Sequence, residues 1–189
     1  MNVLPITDHP ALSIGNGSRI VCAGDLHIGI EDELRSKGIH VPSQTFRMER
    51  ELRSVKNGHD RLILLGDIKH KVPGSTKQEY SEIPRFLRAM KRMYEKVDIV
   101  RGNHDSQIEE LVPEGVDIHP STGFTLGDVG FAHGHTWPTS EVMSRKVVVL
   151  AHNHPTVVFQ EGLGNISAER CWLRCEVNDK AHQRYTELP

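Results

Sequence analysis

Five short blocks of the chain carry side chains that can hold a metal ion: Asp25-Leu26-His27, Gly66-Asp67, Gly102-Asn103-His104-Asp105, His133-Gly134-His135 and His152-Asn153-His154. In the first, a carboxylate and an imidazole stand two apart. At an extended strand end, residues i and i+2 face one side, so both can reach one ion. Asp67 adds a second carboxylate, whose hard oxygens bind one metal or bridge two. Asn103 offers an amide oxygen, and His133, His152 and His154 offer neutral imidazole nitrogens. His152 and His154 are also two apart, but in a turn they are free to diverge to separate ions. Oxygen and nitrogen donors without thiolate suit Mn²⁺, Fe²⁺, Zn²⁺ or Mg²⁺.

Each block alone says little. Asp-x-His arises by chance, His-x-His is more often an exposed loop, and Gly-Asp after a strand is usually a turn. The weight lies in their order and in what precedes each one. Arg19–Ala23, Arg61–Leu65, Val97–Val100, Val129–Ala132 and Lys146–Leu150 are short apolar runs that read as strands, and each ends where a polar block begins. In open α/β sheets the crevice beyond the carboxyl ends of the strands is where ligands bind. Five neighbouring strand ends would bring the blocks to one locus.

Between the first two strands, Gln44–Lys56 has helical spacing with Phe46, Leu52 and Val55 as partial apolar contacts. Lys77–Lys96 reads as a second helix with an Ile83, Leu87, Met90 and Tyr94 stripe and Pro84 near its start. From Gly123 onward the chain is strand-rich: Phe124–Leu126, Val129–Ala132, Val147–Leu150, Val157–Gln160 and Trp172–Val177. Turn residues fall between them at Gly127-Asp128 and Gly162-Leu163-Gly164-Asn165. The expectation is an α/β fold of two packed mixed sheets flanked by helices, one domain over residues 1–189.

The 189 residues can bury a substantial core, and 37% hydrophobic with 25% charged residues is ordinary for a soluble protein. No stretch approaches the roughly 20 apolar residues of a membrane helix, so no membrane partner is expected. Residues 1–10 hold Asp8 and two prolines without a basic-then-apolar pattern, so no signal peptide is read there. Cys22, Cys171 and Cys175 make an odd, sparse set, which points to packing roles and a reducing cytoplasm. A net charge of −2 argues against a strong overall positive field, though Lys69-His70-Lys71 or Arg85, Arg88, Lys91 and Arg92 could form a local basic strip. For the second group a solvated helix face is the expectation.

The blocks together resemble the calcineurin-like metallophosphoesterases, whose signature D-x-H, G-D, G-N-H-[DE], H, G-H-x-H is matched over roughly residues 20–155. Within them the segments GDLHIGIEDELRSKGIHVPSQT and LLGDIKH look closest to the ICC-like phosphoesterases of archaea and bacteria, which include ligase-associated members. Two departures stand out. The last block begins with Ala151 where the family has Gly, and His70 occupies a position where many relatives carry an acidic residue or Asn.

The resemblance implies one divalent ion held by Asp25, His27, Asp67 and His154, and a second held by Asp67, Asn103, His133 and His152. Mn²⁺ is the first expectation, with Fe²⁺, Zn²⁺ or Mg²⁺ as alternatives. It makes His104 the general acid facing the substrate, and Asp105 the residue that orients His104 or holds its loop. Two ions a few ångströms apart can clamp an in-line displacement and acidify water at neutral pH. The implied reaction is hydrolysis of a phosphoester, favoured as a phosphodiester, with nucleic acid or a cyclic nucleotide among the candidates. A phosphomonoesterase, and a scaffold that has lost the chemistry, are the alternatives. A damaged ligand set would mark the scaffold, and none is seen. A mononuclear amide hydrolase would not need Asn103 and a third histidine block.

Of 12 histidines, seven fall in or beside the blocks. His70 and His135 are candidates for lining the substrate cleft. Arg101 reads as structural, pairing with a carboxylate. Trp137-Pro138 either roofs the cleft or marks a turn, and Trp172 belongs to a late strand and the core. His9, His40, His59, His119 and His182 match no block, so solvated or packing roles are expected of them. The chain ends about a dozen residues after its last strand-like run, so a trailing element of the family is expected to be absent or reduced.

Overall fold

The computed structural model describes residues 2–15, 19–160, 162, 164–185 and 188. The first half builds one sheet in which spatial order follows chain order: β1 (Asn2–Pro5), β2 (Leu12–Gly15), β3 (Arg19–Ala23), β4 (Arg61–Leu64), β5 (Lys96–Val100) and β6 (Asp117–His119). β1, β2 and β3 pair antiparallel, and β3 to β6 run parallel. The connections carry α1 (Ile30–Ser36), α2 (Thr45–Ser54) and α3 (Lys77–Met93). A second sheet holds β7 (Phe124–Leu126), β8 (Val129–Ala132) and β9 (Val147–Leu150), with β8 and β9 parallel. The short α4 (Ser140–Met143) lies against it, its Val142 filling the space left by Gly130.

Side-chain alternation divides the core in two. On β3 and β4, Val21, Ala23, Leu62 and Leu64 face α2 and α3, joined by Ile83, Phe86, Leu87 and Met90. Ile20, Cys22, Ile63 and Leu65 point the other way, onto Val129, Phe131 and Val149 of the second sheet. Burial on both faces is why these strands read as unbroken apolar runs rather than alternating ones. Each such buried side chain contributes about 2 kcal/mol, and Phe131, fully buried between the sheets, would cost roughly 3–5 kcal/mol as alanine.

The helices and late strands refine the sequence reading. Along α2 and its C-cap the apolar stripe is the half-buried Met48 with the buried Leu52 and Val55, at helical spacing, while Phe46 lies off it and is exposed, with the Arg85 guanidinium 4.0 Å over its ring. α3 begins at a capping box between Thr76 and Glu79 and buries Ile83, Leu87 and Met90. It ends at Met93, so Pro84 sits inside it rather than in its first turn, where it has no N–H to give the Tyr80 carbonyl. Tyr94 follows the helix, buried, its hydroxyl donating to the Leu52 carbonyl at 2.7 Å.

No strand forms over Trp172–Val177. Instead β10 (Thr156–Gln160) pairs antiparallel with β11 (Ile166–Arg170), every residue of both exposed, and Trp172 is half-buried against the inter-sheet core. Leu163 of the intervening turn lies outside the described residues. The chain then forms α5 (Asp179–Arg184), after which Tyr185 is buried with its hydroxyl on the Pro138 carbonyl at 2.7 Å. Among the described residues no helix is long and apolar enough to cross a membrane, and all three cysteines are free thiols.

Candidate active site

The polar blocks leave β3, β4, β5, β8 and β9 at their carboxyl ends, and the backbone there is unusual. Asp25, His27, Asp67, His152 and His154 all lie in the left-handed region, with φ of 54°, 47°, 50°, 67° and 43°. Each such residue costs about 1 kcal/mol, so the surroundings must impose it. They do so by cross-bonding the loops. Asp25 N–H donates to the Gly66 carbonyl at 3.1 Å, His27 N–H to the Asp67 carbonyl at 2.8 Å, and His152 N–H to the Asp25 carboxylate at 3.3 Å. Asp25 and His27 therefore converge by a left-handed turn rather than by extended-strand geometry.

Two glycines permit this packing. A Cβ on Gly66 would stand 2.6 Å from His133 Nδ1, and one on Gly102 would stand 2.2 Å from Asp67 Oδ1. Ala151, by contrast, lies outside the left-handed region, so alanine replaces the family glycine there without backbone strain.

The donor atoms of Asp25, His27 and His154 all lie within 4.8 Å of one another, and so do those of Asp67, His133 and His152. The Asp67 carboxylate stands between the groups: its Oδ2 is 3.7 Å from His27 Nε2 and 3.4 Å from His133 Nε2. Its other oxygen, Oδ1, accepts the His104 backbone N–H at 2.9 Å. Asn103 Oδ1 is 3.1 Å from His133 Nε2. His133, fully buried, contacts the Leu65 carbonyl through Nδ1 at 2.7 Å. A carbonyl only accepts, so Nδ1 carries a proton, and once Nε2 gives up its own proton that nitrogen is free to serve as a ligand atom.

The shifts at Asp67 and His27 favour the forms that hold a metal, and that at His133 favours its protonated form. Burial opposes ionisation of Asp67, but the His133 hydrogen bond, the His104 N–H and both imidazoles outweigh it and hold the pKa at about 2. Burial lowers His27 to about 4 against the pull of Asp67 and Asp25, aided by His104 and His70. Near neutral pH the carboxylate is charged and that imidazole neutral, the forms that coordinate. His133 is raised: burial lowers it, but hydrogen bonds to Asp67 and the Leu65 carbonyl and the Asp67 and Asp25 charges prevail.

His104 sits beside these groups, its ring 4.8 Å from that of His27 and edge-on to it. Its Nδ1–H donates to the His70 carbonyl at 2.5 Å. Asp105 is buried and turned away from the cleft, accepting backbone N–H groups of Ile68 at 2.8 Å, Lys69 at 3.3 Å and Gly102 at 2.9 Å. Burial raises its pKa against those three bonds. His70 stacks on His104 with ring centroids 5.6 Å apart, and its Nε2 meets Glu33 Oε2 of α1 at 2.6 Å. Its nitrogens also fall in a third cluster with His27 and His104. His135 lies 5.2 Å from the His133 ring and 6.0 Å from that of His152, half-buried at the rim, with burial and those two rings lowering its pKa.

The remaining candidates lie elsewhere. Lys69 is fully buried and donates to the carbonyls of Lys71 and Gly74, so it adds nothing to a surface strip. Arg85 pairs with Glu49, and Arg101 with Glu109. Trp137 packs with Arg184 and Tyr185 at α5. His59 bonds Ser13 and the Lys56 carbonyl, and His119 bonds Asp98 and stacks on Phe124. His9 approaches Ser54, and His40 and His182 are exposed. Sequence reasoning missed the buried carboxylates Glu31 and Glu79, which tie the loops behind the site. For Glu79 the T-x-x-E spacing after Thr76 was the available signal.

Two packed sheets with Asp and His clusters at the strand ends, suited to divalent metals, define a metal-binding hydrolase site. The chain belongs to the calcineurin-like phosphoesterases, whose family model matches residues 18–185, and it is a hydrolase of phosphoester bonds. Among solved structures it is similar to the nuclease MPE of Pseudomonas putida, with a TM-score of 0.52 and 20% identity over 82% of this chain and 75% of that one. It is also similar to YfcE, a phosphoesterase from E. coli, with a TM-score of 0.45 and 22% identity over 76% of this chain and 74% of that one. No curated protein matches it in sequence.

Proposed function

We propose that the chain is a phosphodiesterase acting with two divalent ions, one held by Asp25, His27, Asp67 and His154 and the other by Asp67, Asn103, His133 and His152. The observation that carries this reading is the position of Asp67 Oδ2, 3.7 Å from His27 Nε2 and 3.4 Å from His133 Nε2. Bound there, the ions supply positive charge to the phosphoryl oxygens and acidify the attacking water. Mn²⁺ is the first choice on the family resemblance, and the oxygen and nitrogen donors suit Fe²⁺, Zn²⁺ or Mg²⁺ equally.

His104 is the general acid. With Nδ1–H on the His70 carbonyl, protonation leaves Nε2–H as the proton to transfer. As the bond from phosphorus to the leaving oxygen breaks, that proton passes to the oxygen and the ring becomes neutral. Asp105 positions the segment beneath, and His70 and His135 line the cleft. The substrate class is a phosphodiester, with nucleic acid or a cyclic nucleotide as candidates, in one domain working in a reducing cytoplasm.

The test compares hydrolysis of bis-p-nitrophenyl phosphate and p-nitrophenyl phosphate, with Mn²⁺ added and after chelation. Metal-dependent turnover favouring the diester is expected. A preference for the monoester would overturn the substrate class, and no metal-dependent turnover of either by metal-loaded protein would overturn the mechanism.

A further inference from the structure

The acid-bearing imidazole takes its orientation from a backbone carbonyl, that of His70, and a carbonyl is only as well placed as its peptide. The segment Asp67–Lys71 is held on two sides. Asp105 accepts the amides of Ile68 and Lys69. Beyond them, Glu79 Oε1 accepts the amides of His70 at 2.8 Å and Lys71 at 2.7 Å, and its Oε2 accepts that of Thr76 at 2.5 Å.

Glu79 is completely buried at the first turn of α3, which anchors it to the rigid core rather than to the loop. The chain leaves room for it: Gly29 has φ +97°, and a Cβ there would stand 2.6 Å from Glu79 Cγ. Lys69 closes the same loop from inside through the Lys71 and Gly74 carbonyls. Three amide donors on one buried carboxylate exceed what a helix cap alone requires. Two of them belong to the residues flanking the carbonyl that receives His104 Nδ1–H.

We infer that Glu79 is a positioning residue for the leaving-group proton, acting on His104 through the peptide carbonyl of His70. The inference rests on His104 being the general acid. Glu79 touches neither substrate nor metal ligands. Its removal frees the 70–71 segment, loosens the tautomer and aim of His104, and leaves the ligand clusters in place.

The readout is leaving-group dependence, measured on the metal-loaded enzyme with aryl phosphodiesters releasing 4-nitrophenol or unsubstituted phenol. A poor leaving group needs the proton and a good one does not, so His104→Ala should lose far more rate with phenol. Glu79→Ala should show the same pattern, with a loss about tenfold larger for phenol than for 4-nitrophenol, unchanged metal content, and no further change in that ratio when added to His104→Ala. Glu79→Gln keeps an oxygen for the His70 and Lys71 amides and should restore most of the ratio. Thr76→Ala weakens the helix cap while sparing those amides and should leave the ratio unaltered.

If Glu79→Ala does not fold, Glu79→Asp, which keeps the charge but shortens the reach, should shift the ratio in the same direction. Equal losses with both substrates, or a ratio moved as much by Thr76→Ala, would overturn the positioning role while leaving the acid role intact. A His104→Ala variant with no leaving-group dependence would overturn both.

Discussion

Asp67 and His104 are joined by a 2.9 Å hydrogen bond from the His104 backbone N–H to Asp67 Oδ1. That bond occupies one carboxylate oxygen and leaves Oδ2 facing the imidazoles of His27 and His133. It also ties the proposed acid to the proposed bridge through the main chain, so the two roles can be separated by side-chain substitution.

His104→Ala keeps that backbone bond and removes only the ring. Metal content should match the wild type, and kcat on a diester should fall roughly 10²–10⁴-fold, the range of a general acid. Metal analysis beside steady-state kinetics checks this, and loss of metal would reassign His104 as a ligand.

Gly102→Ala tests the close approach behind the site. The new Cβ would stand 2.2 Å from Asp67 Oδ1 and 2.3 Å from Asp67 N, so the carboxylate must move. Divalent metal affinity should fall sharply, with a stability loss of about 2 kcal/mol as for other overpacked positions. Titration calorimetry and thermal unfolding report the two effects separately.

These close approaches mark the limit of what the sequence made legible. The five strand ends were visible because β3, β4, β5, β8 and β9 are buried on one or both faces and read as apolar runs. The edge strand β1 and its neighbour β2 are only four residues each, and β10 and β11 are exposed throughout, so neither periodicity nor apolarity distinguished β11 from the Trp172–Val177 segment. Phe46 misled because residue type was read without its angle on the helix. The residue types that gather at the strand ends were legible, but the left-handed backbone at Asp25, His27, Asp67, His152 and His154 was not, since it is imposed by bonds between loops far apart in sequence. Glu79 acts through three backbone amides, which leave no side-chain pattern to read.

Asp98 predicts a pH dependence of stability away from the site. Buried on β5, it accepts from Arg61 Nε and Nη2 at 2.7 and 2.8 Å and pairs with His119 Nε2 at 2.7 Å. Burial raises its pKa, but the bonds to His119 and Arg61 prevail and hold it below the ordinary 3.8. A depressed folded-state pKa gives stability that is complete above the unfolded value and lost as pH falls through the folded one. Asp98→Asn should therefore cost roughly 3 kcal/mol near neutral pH, as for a broken buried pair. The gap to wild type should narrow below about pH 4. Denaturant unfolding across pH checks both statements.

The central claim is that Asp67 is shared by two ions, and metal stoichiometry tests it most directly. Protein stripped by chelator, reloaded with Mn²⁺ and freed of excess should retain two ions per chain by elemental analysis, and Asp67→Asn should retain at most one and lose turnover. A wild type that saturates at one ion, or an Asp67→Asn variant that keeps two, would contradict the account.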